Sequence, residues 1–290
     1  MIIGRRELLL GSLRLASAAL LVTQWGSLAS AAVAKPAIGD PESDEAGDIP
    51  TPPEAVAHES ALASRIKAIS NVFEVGIPEP DYAYVENLED GRGYTVTNYG
   101  FCTGTGEIAA VIQRYAKAAP ATPLSRFLAM MPPRGNANSE LTGFAALWRH
   151  EAGLSDRLAD ACEEEANRLF FDPAMAAAKA SNIRTPIGKA VFYDTWLQHG
   201  ADADRDSLRA IYSRTLRLIG GPPQCSESDF LRTFLKVRRA VLLNPDNAKT
   251  RTVWRESVSR IDALRNLLDD NPLLVPPIRV SNAETDQTIS

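Results

Sequence analysis

Apolar residues recur at helical spacing through most of the chain, so the fold is expected to consist largely of helices. Leu62, Ile66, Ile69 and Val72 fall on one helical face. Similar patterns run through 107–118, 139–150, 154–170, 173–183, 186–198, 205–218, 227–243 and 250–268. Proline and glycine clusters separate these segments, because proline cannot continue a helix. The pattern predicts a mostly α-helical domain.

A short region between residues 82 and 99 breaks this pattern. The runs 82–86 and 94–99 are aromatic, β-branched and roughly alternating, and they flank a glycine-containing turn cluster at 89–93. We expect a hairpin that packs against helices, because an isolated hairpin is not stable in water. The long helix, small sheet and following helices predict an α+β fold, mostly α. It is expected to be two-lobed and lysozyme-like, with one small antiparallel β-sheet beside an active-site cleft.

The N-terminal segment 1–34 reads as an export signal. It begins with Arg5-Arg6, continues with a moderate apolar run and ends in small residues at 29–34. This order is typical of a secretory signal, and the paired arginines resemble a twin-arginine signal. A retained membrane anchor is the alternative, but Arg14 and Gln24 interrupt the apolar run. We therefore expect a secreted protein, extracellular or periplasmic, with cleavage after residue 31 or 34.

The remaining chain divides by composition into three parts. Residues 35–57 are acidic and proline-rich, which predicts a disordered linker. Residues 281–290 are polar in the same way and predict a disordered tail. The segment 58–280 between them has the size of one domain, which we expect to be catalytic.

Charge and cysteine content exclude several classes of protein. The chain has 31 basic and 36 acidic residues, and removal of residues 1–34 leaves a net charge of −7. A general nucleic-acid binder needs a basic face instead. The cysteines and histidines are scattered, without CxxC or HExxH spacing: Cys102, Cys162, Cys225, His58, His150 and His199. The sequence therefore predicts no metal, no cofactor, no nucleic-acid partner and no membrane partner after signal cleavage, and we expect a monomer.

Two carboxylates have surroundings that suit acid and base chemistry. Glu74 follows the apolar face of the first helix, where Phe73 and the negative end of the helix dipole should raise its pKa. Asp90 lies in the turn cluster, where Arg92 should keep it ionised. Such a pair across a cleft is the glycosidase pattern. Glu79 is the rival acid, but it lies between two prolines with no helix end to shape its pKa.

The block 82–107 carries a more specific pattern. It contains Asp90-Gly-Arg92-Gly-Tyr-Thr95 and then Gly100-Phe-Cys-Thr-Gly-Thr-Gly-Glu107. This block resembles the glycoside hydrolase family 46 chitosanases and, more distantly, related chitosanase families of the lysozyme superfamily. The resemblance continues in order downstream, through Asp194, His199 and Arg238, and covers about 66–278.

The resemblance implies roles for particular residues. Glu74 would be the general acid and Asp90 the general base, and Thr95 would hold the attacking water. Arg92 would orient Asp90 and contact substrate. The other residues implied to contact substrate are Tyr84, Gly100, Glu107 and His199. A supporting charge network behind the cleft would consist of Asp194, Arg238 and Arg251.

Some positions depart from the family pattern. Val75 follows Glu74 where the family has an amide or acid, and the spacing between Glu74 and Asp90 is shorter. Glu107 stands where the family more often has Asp. Whether Cys162 and Cys225 pair is left open by the sequence.

The resemblance implies a secreted, inverting, endo-acting chitosanase that cuts β-1,4 bonds between glucosamine units. The acidic balance agrees, because a negative cleft would attract polycationic chitosan as its partner. A peptidoglycan hydrolase of the same superfamily and a non-catalytic polysaccharide-binding protein are the alternatives. A peptidoglycan hydrolase would have no use for the charge of Glu107. A non-catalytic binding protein would be expected to lack Glu74, Asp90 or Thr95.

Overall fold

A computed structural model describes residues 53–89, 91–135, 140–200, 203–221, 225–246, 251–282 and 284–290. The predicted signal at 1–34, most of the predicted linker and the predicted base Asp90 lie outside the described residues. Within the described residues, no helix has the length and apolar character needed to cross a membrane.

Helices account for most of the described chain, as the apolar periodicity predicts. They are α1 Pro53–Val75, α2 Glu107–Ala118, α3 Phe144–Leu154, α4 Arg157–Ala166, α5 Asp172–Ala180, α6 Pro186–His199, α7 Leu208–Leu218, α8 Glu227–Leu243, α9 Arg251–Glu256 and α10 Ser259–Asp270. A 3-10 helix spans Pro123–Met130, and a π-helical turn at Asn167–Phe171 joins α4 to α5. The helix α1 begins at Pro53, inside the segment predicted as linker.

The centre of the fold is helix α6. Its residues from Ile187 to His199 are buried with one exception, so the helix is covered on all sides. It begins at Thr185, whose hydroxyl accepts the amide of Gly188, and Pro186 occupies the first helical position. The helices α1, α5, α7, α8 and α10 pack around it. Any polar side chain on α6 must therefore find its partners inside the protein.

The predicted hairpin is part of a three-stranded antiparallel sheet in the order β1-β2-β3. The strands are β1 Val85–Asn87, β2 Tyr94–Val96 and β3 Phe101–Cys102. Val85 pairs with Val96, and Thr95 pairs with Cys102. The small sheet among many helices confirms the predicted α+β fold class.

The prediction of a disordered tail at 281–290 is wrong. Strand β4 Ile278–Ser281 pairs with β5 Asp286–Ile289, which gives a second antiparallel sheet where one was expected. Ile278, Val280 and Ile289 are buried. The polar residues that suggested disorder build the turn, because the Asn282 side chain accepts the amides of Glu284 and Thr285 at 2.8 and 3.0 Å.

The cysteines are all unpaired. Cys102 and Cys162 are buried, whereas Cys225 is exposed. Burial raises the pKa of the Cys162 thiol well above its ordinary value, so this side chain behaves as an apolar core residue.

Candidate active site

Glu74 lies in the last turn of α1, with its carboxyl turned into the protein. Its side chain is 8% exposed, and its Oε1 accepts Nη2 of Arg260 at 3.0 Å. The Arg260 guanidinium also lies over the ring of Phe73, 5.4 Å from the centroid. Burial raises the pKa of Glu74, and the charge of Arg260 opposes part of that rise. The direction is the one expected from the sequence, but the main cause is burial.

Glu74 belongs to a network of four buried ionisable side chains. Asp194 receives Nη1 of Arg260 at 3.3 Å and Nη2 of Arg238 at 2.6 Å. The side chains of Asp194 and Arg238 are 0% exposed. Two carboxyl groups and two guanidinium groups thus lie together away from water, which makes each partner costly to remove.

The prediction that Arg251 belongs to this network is wrong. Arg251 is exposed at the start of α9, and within the described ranges no ion pair joins it to Asp194. Arg260 in the first turn of α10 takes that place. A signal for it exists in the sequence, since Arg260 shares a helical face with Leu264 and Leu267, where a charged residue requires a buried partner.

Thr95 and Glu107 are buried, in contrast to their predicted roles with water and substrate. Thr95 is 0% exposed, and its Oγ1 lies 3.5 Å from Sγ of Cys102 on the neighbouring strand. Glu107 begins α2 and accepts the amide of Cys102 at 3.2 Å and the hydroxyl of Thr105. Burial raises the pKa of Glu107. Thr95 therefore contacts strand β3, and Glu107 joins that strand to the loop that follows it.

The side chain of His199, which was predicted to contact substrate, lies inside the protein. The residue is 6% exposed at the C-terminal end of α6, and both ring nitrogens have protein partners. Nδ1 lies 2.8 Å from the carbonyl oxygen of Asp206, and Nε2 accepts Nε of Arg238 at 3.2 Å. No ring nitrogen is left for a sugar hydroxyl. Gly100 is likewise buried, although its backbone still shapes the loop before β3.

Tyr84 and Arg92 remain accessible. Both are partly buried, and the Tyr84 hydroxyl donates to Glu86 at 2.9 Å. Tyr84 lines a groove of about 610 Å³ together with Asn87, Tyr94 and Arg149. The Arg92 carbonyl accepts the amide of Gly104 at 2.9 Å, which ties the turn to the loop after β3. In the sequence, Tyr84 and Arg92 lie on either side of Asp90.

The structure thus brings together three of the predicted site residues. Glu74, Asp194 and Arg238 join in one buried network with Arg260, which sequence reasoning missed. Among the described residues, no group of three or more His, Cys, Asp or Glu side chains is arranged to hold a metal ion.

Comparisons with known proteins identify the family. The model of the family described as Glycosyl hydrolase family 46 matches residues 68–278. A chitosanase of Bacillus subtilis (strain 168) is 38% identical over 228 residues, which cover 76% of this chain and 82% of the relative. A chitosanase of Streptomyces sp. (strain N174) is 32% identical over 197 residues, 67% of this chain and 70% of the relative.

Solved structures show the same relationship. The native chitosanase from Bacillus subtilis MY002 superposes with a TM-score of 0.69 at 36% identity, over 79% of this chain and 98% of that one. A mutant of it complexed with 6 GlcN gives the same values. The family 46 chitosanase of Gynuella sunshinyii, in complex with chitotetraose, gives 0.68 at 32% identity over 79% and 97%. The chain therefore belongs to glycosyl hydrolase family 46.

Proposed function

We propose that the chain is a chitosanase that hydrolyses β-1,4 links between glucosamine units, with Glu74 as general acid and Asp90 as general base. The observation that carries the proposal is the buried carboxyl of Glu74, whose pKa is raised and whose orientation is set by Arg260. Relatives of similar length are chitosanases, and one relative is complexed with 6 GlcN.

The chemistry assigned to Glu74 follows from its surroundings. A general acid must still carry its proton when substrate binds, and burial supplies that condition by raising the pKa. Glu74 donates this proton to the glycosidic oxygen as the bond to the sugar breaks. Arg260 then stabilises the carboxylate that remains, because its guanidinium already lies 3.0 Å from Oε1.

Asp90 completes the reaction in this proposal. It removes a proton from a water that attacks the opposite face of the sugar, so the product has the inverted configuration. Arg92 lies two residues further along the sequence and carries the charge that favours an ionised Asp90. Tyr84 and the groove beside it would contact sugar units on that side of the sheet.

Charge and export agree with this substrate. Chitosan is polycationic in mildly acid solution, and the chain without residues 1–34 has a net charge of −7. We infer that the chain is exported, since Arg5-Arg6 and the following apolar run form a secretory signal. We also propose endo-action, as the resemblance to the family implies.

One assay separates this function from its alternatives. Release of reducing ends is measured with chitosan, chitin and peptidoglycan under identical conditions. We expect rapid release from chitosan and little from the other two polymers. Preference for peptidoglycan would indicate a peptidoglycan hydrolase. Binding of chitosan without release of reducing ends would indicate a non-catalytic binding protein.

A further inference from the structure

The guanidinium of Arg238 is held by a row of side chains on α6. Its Nε donates to Nε2 of His199 at 3.2 Å, and its Nη2 donates to Oε1 of Gln198 at 2.6 Å. The same Nη2 pairs with Asp194 at 2.6 Å. Gln198 lies one turn after Asp194, and His199 follows it directly, so the three side chains meet the same edge of the guanidinium. Arg238 consequently has little freedom to rotate.

His199 can make its contacts in one protonation state. The carbonyl of Asp206 can only accept, so Nδ1 carries a hydrogen. The Nε of Arg238 can only donate, so Nε2 carries a lone pair. Burial and the charge of Arg238 both lower the pKa of His199 well below its ordinary value, and Arg260 on α10 acts in the same direction. The ring edge packs on Trp254 of α9 at 4.7 Å between centroids.

Gln198 connects the same guanidinium to the segment before Arg260. Its Nε2 donates to Oγ of Ser257 at 2.8 Å, which leaves Oε1 to face Arg238. Ser257 lies in the break between α9 and α10, and its hydroxyl donates to the carbonyl of Trp254 at 2.8 Å. The break that starts α10 is thereby tied to α6.

We propose that His199 is a positioning residue of the active site: by accepting from Arg238 it fixes Asp194, and through Asp194 it holds Arg260 against Glu74. Gln198 supports the same alignment. The inference rests on the proposed function, because it explains how Glu74 is held in place as the general acid. The chain of contacts is continuous, from the Asp206 carbonyl through His199, Arg238, Asp194 and Arg260.

Two substitutions of similar polarity test the role of Nε2. His199→Gln places an amide oxygen near the position of Nε2, whereas the shorter side chain of His199→Asn cannot reach Arg238. We expect His199→Gln to keep most of kcat. We expect His199→Asn to lose about tenfold to hundredfold in kcat, the cost of a misplaced catalytic group, with KM for chitosan unchanged.

The pH profile gives a readout that a purely structural role would not move. In His199→Asn a displaced Arg260 no longer lowers the pKa of Glu74, so the alkaline limb of kcat/KM moves to higher pH. The limb stays in place in His199→Gln. His150→Asn, at an exposed position on α3, is the matched control and should behave as wild type.

The outcomes are distinct. Equal kcat in the Gln and Asn variants, or an alkaline limb that does not move, overturns the inference. If neither variant folds, Gln198→Leu removes the second contact to Arg238, and unchanged kcat in that variant overturns it. Glu74→Gln is measured alongside. Full activity there overturns the proposed function, whereas loss of activity there with an unaffected His199→Asn overturns the positioning role alone.

Discussion

Arg260 donates to the carboxyl of Glu74 at 3.0 Å, although the two residues are 186 positions apart in the chain. The first lies in the opening turn of α10 and the second in the closing turn of α1. Burial raises the pKa of Glu74, and the charge of Arg260 opposes that rise. The acid strength of Glu74 thus depends on residues at the ends of two different helices.

Removal of the acid should abolish hydrolysis. Glu74→Gln keeps the size of the side chain but has no proton to donate, so we expect kcat to fall by about 10²–10⁴-fold or more. The measurement is release of reducing ends from chitosan, with chitosan binding measured in parallel. Glu79→Gln is the matched control, because Glu79 is exposed and five residues away. A large loss in that variant instead would move the acid role to Glu79.

Removal of the arginine should change the acid without removing it. In Arg260→Met the opposing charge is lost, so the pKa of Glu74 rises further. A general acid is active while protonated, and its activity is lost as pH rises through its pKa. The alkaline limb of the rate profile should therefore move to higher pH. Arg251→Met, at an exposed position, should leave the limb in place; an equal shift in both variants would contradict the assignment.

Asp194 should matter strongly for stability. Asp194→Ala leaves Arg238 and Arg260 buried with one carboxylate fewer, which costs about 3–5 kcal/mol. For a domain of this size we expect Tm to fall by about 6–20 °C in a thermal melt.

The control for that change is Asp262→Ala. This residue pairs with Arg239 at 3.1 Å on the surface, and both side chains are more than a third exposed. Such pairs contribute about 0–1 kcal/mol, so Tm should hardly move. Similar losses of Tm in the two variants would show that the buried network contributes no more to stability than the surface pair.

The stereochemistry of the product tests the choice of two carboxylates. A single displacement by water at a β-linked sugar should release the α-anomer first. Proton NMR of the earliest products distinguishes the anomers. Early β-anomer, or transfer of the sugar to an added alcohol, would show that a covalent intermediate forms and that the pair has been wrongly chosen.

The helices could be predicted where periodicity and boundary signals coincide. Segments 107–118 and 227–243 match α2 and α8, because a glycine precedes the first and Ser226 caps the second. The segment 250–268 was expected to be continuous, but the chain breaks near Ser257, and that break turns Arg260 inward. A local pattern cannot reveal a partner that is distant in sequence.

The sequence predicted which types of residue form the site, but it predicted less well which of them are exposed. Thr95 and Glu107 were expected to face the cleft, but Thr95 is buried beside Cys102 of the neighbouring strand. Glu107 instead accepts a hydrogen bond from the Cys102 amide, before the loop that leads to α2. His199 is polar and directly follows the predicted helix 186–198, which suggests that its side chain is exposed. In the structure it is the last residue of α6, which is covered on all sides. Its burial depends on helices that pack around it from elsewhere in the chain.

The long separation between Glu74 and Arg260 also orders events during synthesis. The helix that carries the acid leaves the ribosome first, but its partner is added 186 residues later. At about 5–20 residues per second this delay is about 10–40 s. Throughout that time Arg260 is not present to pair with the carboxyl of Glu74. The contact that sets the strength of this acid can therefore form only in the last stage of folding, after α10 has been made.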